Sequence, residues 1–130
     1  SVVSCQRVGS TVVFTCNLLN NGLGDVNDFR IYPPSSSSLI SDGVRSKIID
    51  DSQSDYPDAT ISFRGGSASS YRTIIGLLPD GVASKVVVTI GNVPGSVKKF
   101  SLIKLGVYAY PDSQYHLVNK YIDFKNVPVY

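Results

Sequence analysis

Hydrophobic and polar residues alternate along most of this chain with a period of two, the pattern of a β-strand with one buried face. The densest alternation runs over residues 77–110, in two arms separated by turn-forming residues at 91–95. The apolar positions of the two arms are Val86, Val88 and Ile90, and then Ile103, Leu105 and Val107. We predict a long hairpin in which these six side chains are buried.

Shorter alternating segments elsewhere predict further strands, and no segment carries helix caps followed by an apolar period of 3.6. The predicted strands cover residues 2–8, 11–18, 28–32, 44–49, 60–64, 71–78 and 114–124. Residues 65–70 are predicted to be a turn and residues 127–130 a tail. Short strands at this spacing indicate a two-sheet sandwich or a barrel. We expect an all-β, antiparallel sandwich of about 7–9 strands with little or no helix.

Length and charge narrow the class of protein. The 130 residues are one domain's length, so we expect a single domain over residues 1–130. The net charge is +2, and the twelve Lys and Arg are scattered along the sequence. Since nucleic-acid binding needs clustered cations, we expect no nucleic-acid partner. No apolar run approaches the roughly 20 residues of a membrane span, so no transmembrane segment is predicted.

Cys5 and Cys16 flank a predicted chain reversal at Gly9-Ser10. If residues 2–8 and 11–18 form a hairpin, the two sulfur atoms can face each other across it, and we predict a disulfide. The alternative is a pair of free, buried thiols that pack as small apolar side chains. The sequence begins at Ser1 and contains no methionine. We interpret it as a segment of a longer, exported precursor, a setting that suits a disulfide.

Three stretches resemble the telokin-like immunoglobulin-fold domains of secreted bacterial proteins, including cyanobacterial ones, most of them of unknown function. They are VVFTCNLLNNG at 12–22, KIIDDSQSDY at 47–56 and LLPDGVASKVVVTIGNVPGSVKKFSLIKL at 77–105. In that family a strand ends in Asn-x-Gly, an Asp-rich turn leads to a Tyr, and a Pro-Gly turn precedes a strand ending in Val-Pro. The resemblance implies an immunoglobulin-like sandwich at a secreted, periplasmic or cell-surface location, and it supplies no catalytic residues. The Asp-rich turn here lacks the family's usual Gly.

Residues suited to catalysis are sparse. The only histidine, His116, has no nucleophile motif near it, and the sequence contains no Gly-x-Ser-x-Gly elbow and no glutamate. A pair of aspartates brought together by the fold would still permit a hydrolase, which we keep as a distant alternative. We predict a protein that is not an enzyme.

One candidate binding site is an acidic loop. Asp50, Asp51 and Asp55 offer hard oxygen ligands of the kind that calcium prefers. The alternative is a solvated turn in which the carboxylates bond to their own backbone. No other cofactor is implied by the sequence.

A second candidate is a group of tyrosines. Tyr108, Tyr110, Tyr115 and Tyr121 fall in the last two long predicted strands. The first three could form a surface platform for a sugar or a protein, because Tyr offers a large ring with a polar tip. The alternative is cross-strand pairing that stabilises the sheet. The leading hypothesis is an adhesion, scaffold or binding accessory domain for a protein or cell-surface glycan, and the runner-up is a carbohydrate-binding module.

Overall fold

The computed structural model describes residues 1–20, 25–34, 45–63, 66–68, 74–110 and 121–130. Within these ranges the chain is all-β, with no helix. The strands are β1 (Val2–Val8), β2 (Thr11–Leu19), β3 (Val26–Ile31), β4 (Lys47–Asp50), β5 (Thr60–Phe63), β6 (Gly66–Ala68), β7 (Ile74–Leu78), β8 (Ala83–Ile90), β9 (Lys99–Tyr110) and β10 (Tyr121–Pro128). The predicted all-β class without helix is confirmed, with ten strands in the described ranges where about 7–9 were expected. In the described part of the chain, no helix has the length and apolarity needed to cross a membrane.

The strands form two antiparallel five-stranded sheets, packed as a β-sandwich. The first sheet has the order β1-β2-β8-β5-β6. The second has the order β10-β9-β3-β7, and β4 also pairs with β9. The long strand β9 therefore has β10 along one edge, while β4 and β3 follow one another along its other edge.

The core lies between the two sheets and is built from the alternating apolar positions. Val86, Val88, Ile90, Ile103, Leu105 and Val107 are all buried, as predicted. Aromatic rings from the two sheets also meet edge to face. The ring centroids of Phe14 and Phe124 are 5.2 Å apart, and those of Phe29 and Phe63 are 5.6 Å apart. Such pairs contribute beyond their buried area.

The prediction of a hairpin over residues 77–110 is wrong. β8 and β9 lie in different sheets, and residues 91–98 carry the chain from one to the other. Alternation identifies a buried face, and the two arms bury their faces in the same core from opposite sides. The predicted reversal at Gly9-Ser10 does form a two-residue hairpin turn between β1 and β2. Gly9 has a φ of 64°, a conformation that glycine adopts without a steric penalty.

Two segments predicted to be irregular are instead paired. Residues 66–68 form β6 at the edge of the first sheet, and β10 extends to Pro128, with Val127 buried opposite Phe100. Tyr130 then reaches β1, where its N–H donates to the carbonyl oxygen of Cys5 at 3.0 Å. The N–H of Arg7 donates to the carbonyl oxygen of Tyr130 at 2.8 Å. The end of the chain thus links the second sheet to the edge of the first.

The predicted disulfide is also wrong, because Cys5 and Cys16 are free and buried. Cys5 lies opposite Phe14, whereas Cys16 lies opposite Val2, beyond a register shift. The two cysteines are diagonal neighbours, at a typical separation of roughly 7 Å, while a disulfide needs Cβ atoms about 4 Å apart. Burial raises the pKa of each thiol to about 11. The alternative of two apolar-like thiols describes the structure.

We expect both thiols to resist alkylation in the native protein and to react in the denatured protein. The thiolate is the reactive form, and burial suppresses both its formation and its access to reagent. Mass spectrometry after iodoacetamide treatment, without reductant, in native buffer and in urea, measures this. Two added groups in urea and none in native buffer is the expected pattern. If the chain took up no label in urea, the cysteines would be oxidised and the disulfide prediction would be supported.

Arg7 of β1 fixes the 91–98 connection. Its guanidinium donates to the carbonyl oxygens of Val93, Pro94 and Val97, at 2.9, 3.0 and 2.9 Å respectively. The planar fork of Arg suits several acceptors at once. One side chain thereby attaches the crossing between the sheets to the first strand.

We expect Arg7→Met to lower the free energy of unfolding by about 2 kcal/mol. Hydrogen bonds to charged groups contribute about 1.5–3 kcal/mol, but Arg7 is only half-buried, so solvent weakens its bonds. Arg7→Lys should recover only part of the loss, because an ammonium lacks the fork geometry. Urea denaturation measures both variants against Lys85→Met, which removes an exposed cation from β8. Equal effects of Arg7→Met and Lys85→Met would contradict the role of Arg7.

Candidate functional site

A cleft of about 540 Å³ opens where β4 pairs with β9. Its charged and aromatic lining residues are Arg45, Lys47, Asp55, Tyr56, Lys104 and Tyr121. They come from both sides of β4, from the middle of β9 and from the first residue of β10. A concave site of this volume is in the range of small-ligand pockets.

Three cations against one carboxylate line this cleft. Lys47 lies directly opposite Lys104 in the β4–β9 ladder, and Arg45 precedes Lys47 by two residues. Arg45 and Lys47 have no ion-pair partner within 4.0 Å among the residues that the structure describes. Asp55 supplies the carboxylate, and Asp123 lies opposite Lys104 on the β10 side. Like charges directly opposite each other destabilise a sheet, and Asp123 offsets this for Lys104 on the β10 side, so the fold itself gives no reason for a lysine at position 47.

An aromatic ring flanks the cations. Tyr121, the first residue of β10, is 41% exposed. The ammonium nitrogen of Lys104 lies 5.0 Å from the centroid of its ring, within the range of a cation–π interaction. The cleft therefore presents positive charge beside a partly uncovered ring.

A short hydrogen-bond network places Arg45 and Lys47 at the cleft. The N–H of Tyr32 donates to the carbonyl oxygen of Gly106 at 2.9 Å. The N–H of Gly106 donates to Oγ of Ser46 at 3.0 Å, and that hydroxyl donates to the carbonyl oxygen of Tyr32 at 2.7 Å. Ser46 thus joins the end of β3 to the start of β4 along β9, with Arg45 and Lys47 on either side of the junction.

Below this junction, the turn after β4 is organised by Asp50, which is fully buried. Its Oδ1 accepts from the N–H and Oγ of Ser52, both at 2.8 Å, and from the N–H of Ser54 at 3.0 Å. Its Oδ2 accepts from the hydroxyl of Tyr56 at 2.6 Å. Burial acts to raise the pKa of Asp50, but these four hydrogen bonds outweigh it and hold the pKa below its ordinary value. Burial, and then the bond to Asp50, raise the pKa of Tyr56 above its usual range.

The three calcium candidates have separate roles in the structure. Asp50 holds the turn through its own backbone, as the alternative interpretation described. Oδ2 of Asp51 accepts from the N–H of Lys98 at 3.0 Å, and Asp55 lines the cleft. Across the described ranges, no group of three or more His, Cys, Asp or Glu is placed to hold a metal. Calcium binding therefore remains a prediction with no assembled ligand set among these residues.

The tyrosine platform is only partly described. Tyr108 and Tyr110 lie in β9, where their backbones pair with Arg30 and Asp28 of β3. The structure describes only the backbone of these two tyrosines, and Tyr115, like His116, lies outside the described residues. The platform therefore stays a prediction. The fourth tyrosine, Tyr121, is the one seen at a cleft.

The alternation of apolar and polar residues does not reveal the cationic group of Arg45, Lys47 and Lys104, because its members are far apart in the chain. Arg45 and Lys47 precede the acidic turn, whereas Lys104 interrupts the apolar second arm. Only the β4–β9 register brings them together. A charged residue inside a strongly apolar strand was the one available signal.

Comparison of the chain with protein-family models, curated proteins and solved structures finds no significant match.

Proposed function

We propose that this chain is a non-catalytic binding domain of an exported bacterial protein, acting in adhesion, as a scaffold or as an accessory domain, and that the cleft is its ligand site. The observation that carries the proposal is Lys47 opposite Lys104 in the cleft. Sites that serve function often retain arrangements that lower stability. An anionic group on a protein or cell-surface glycan would neutralise the pair.

Two further observations support a binding role. Asp50, the most elaborately bonded carboxylate in the described chain, has its pKa held low by hydrogen bonds and stays ionised near neutral pH. A general acid or base needs a pKa near the working pH, so Asp50 is better suited to holding the turn. The resemblance to telokin-like immunoglobulin-fold domains favours an immunoglobulin-like module at a secreted, periplasmic or cell-surface location.

The carbohydrate-binding module is the second candidate, favoured by the partly exposed ring of Tyr121 beside the cleft. A tyrosine ring offers an apolar surface against which the apolar face of a sugar can pack. For a carbohydrate-binding module, the sugar site lies at Tyr121. The platform of Tyr108, Tyr110 and Tyr115 would be an additional sugar-binding surface.

The test is a binding screen with a chemical readout on the ligand. The immobilised chain is exposed to neutral polysaccharides, acidic polysaccharides and purified extracellular-matrix proteins, and each bound probe is recovered and sized. We expect reversible binding of at least one probe with its length unchanged. Shortened probe would favour the hydrolase alternative, and no binding to any probe would refute the proposed function.

A further inference from the structure

We propose that the cleft binds an acidic saccharide, with the carboxylate of a uronic acid held by Lys47, Lys104 and Arg45 and the sugar ring packed against Tyr121. This inference rests on the proposed binding function and names its ligand class.

The spacing of the cations suits a single carboxylate. Residues directly opposite each other in an antiparallel pair have Cα atoms about 5 Å apart, so the two flexible ammonium groups of Lys47 and Lys104 can converge on one anion. Arg45, which precedes Lys47 by two residues and also lines the cleft, adds a planar fork that matches a carboxylate. A bound carboxylate would also relieve the repulsion between the lysines.

The rest of the lining distinguishes a sugar acid from other anions. Asp55 accepts hydrogen bonds and repels an anion that has no donors, whereas sugar hydroxyl groups can donate to it. Tyr121 provides the ring surface. Nucleic-acid sites usually spread cations along a stripe that follows the phosphates, but these three cations meet in one cleft of about 540 Å³. A ligand with one carboxylate, several hydroxyls and an apolar ring face fits all these features.

Calorimetric titration with four probes tests the inference. They are tetragalacturonic acid, the same tetramer as its methyl ester, neutral cellotetraose and a short poly-aspartate peptide. The ester keeps every ring and removes the charge. We expect the acid to bind, and to bind at least about tenfold more tightly than its ester, because charge-assisted hydrogen bonds are roughly twice as strong as neutral ones. The affinity for the acid should fall as salt is raised.

Variants locate the site. Lys47→Gln/Lys104→Gln should weaken binding of the acid at least about tenfold, and Tyr121→Ala should weaken it through the ring contact. The matched control, Lys85→Gln/Lys99→Gln, removes two exposed cations outside the cleft lining and should bind normally.

Lys47→Gln should melt no lower than the parent chain, since it removes a like-charge contact. A lower melting temperature would identify Lys47 as structural and count against the inference.

Other outcomes separate the two proposals. Equal affinity for acid and ester, equal losses in the lysine pair and its control, or tighter binding of poly-aspartate would overturn the acidic-saccharide inference. If these probes fail while another probe of the earlier screen binds, the inference falls and the binding function stands. If no probe of either set binds, both fall.

Discussion

Replacing Gly106 by alanine should lower the free energy of unfolding by about 3 kcal/mol, in the upper range for overpacking a buried site. A Cβ at Gly106 would lie 2.6 Å from the carbonyl carbon of Arg45, 2.8 Å from its oxygen and 3.0 Å from the nitrogen of Ser46. These are backbone atoms, and Ser46 is held in place by its hydrogen bonds to Tyr32 and Gly106. No side-chain rotation can relieve the clash, so residues 45 and 46, which lead into β4, would have to move away from β9.

Urea denaturation compares the stability of Gly106→Ala with that of two other variants. At Gly95 an added Cβ meets no atom within 4 Å, so Gly95→Ala should change stability by less than about 0.5 kcal/mol. Ser46→Ala removes the hydroxyl that links Tyr32 to Gly106, and should cost about 2 kcal/mol, because the buried N–H of Gly106 loses its acceptor and the bond to the Tyr32 carbonyl oxygen is lost. If Gly106→Ala were as stable as Gly95→Ala, the close approach of residues 45–46 to Gly106 would be refuted.

The buried faces of the strands were predictable from local sequence. Alternation in a strand has a period of two, so once one side chain is buried its neighbours at even spacing follow. That is why Val86 and Ile103 were assigned correctly to the core. The turn at Gly9-Ser10 was equally local, since a glycine with positive φ is part of the turn itself.

Pairing between distant segments was not predictable in the same way. Alternation looks the same whether β9 pairs with β8 or faces it across the core. The disulfide prediction failed for a different reason. The two-residue turn at Gly9-Ser10 sets Cys5 opposite Phe14, so Cys16, two residues farther along β2, is diagonal to Cys5. The cleft depends on the pairing of Lys47 with Lys104, for which sequence spacing gives no information.

The second large effect is expected at the turn after β4. Asp50→Ala should lower the free energy of unfolding by at least about 3 kcal/mol, because it leaves several donors without their charged acceptor. These donors are the N–H groups of Ser52 and Ser54 and the hydroxyl groups of Ser52 and Tyr56. Tyr56→Phe removes one of the bonds and keeps the ring, which meets Phe100 edge to face at 5.7 Å, so a loss of about 1.5 kcal/mol is expected. Asp55→Ala is the matched control.

Asp55 is exposed and five residues farther along the same turn, so Asp55→Ala should shift stability by less than about 0.5 kcal/mol. Urea denaturation of the three variants compares them directly. Equal stabilities of Asp50→Ala and Asp55→Ala would show that the turn does not depend on the buried carboxylate.

The same carboxylate should make stability depend on pH in a defined direction. Its folded-state pKa lies below the ordinary value of 3.8, since four hydrogen bonds favour the charged form more than burial disfavours it. The unfolded chain therefore takes up the proton first as the pH falls. The stabilisation from ionised Asp50 is complete above the ordinary pKa and is lost as the pH falls through the folded-state pKa.

Asp50→Asn cannot titrate, so its stability deficit relative to the parent chain should be largest near neutral pH and should shrink in acid. Urea denaturation of both proteins from about pH 7 to about pH 3 measures that deficit, with other carboxylates common to the two chains. A deficit that stays constant over this range would mean that the charge of Asp50 does not stabilise the folded turn.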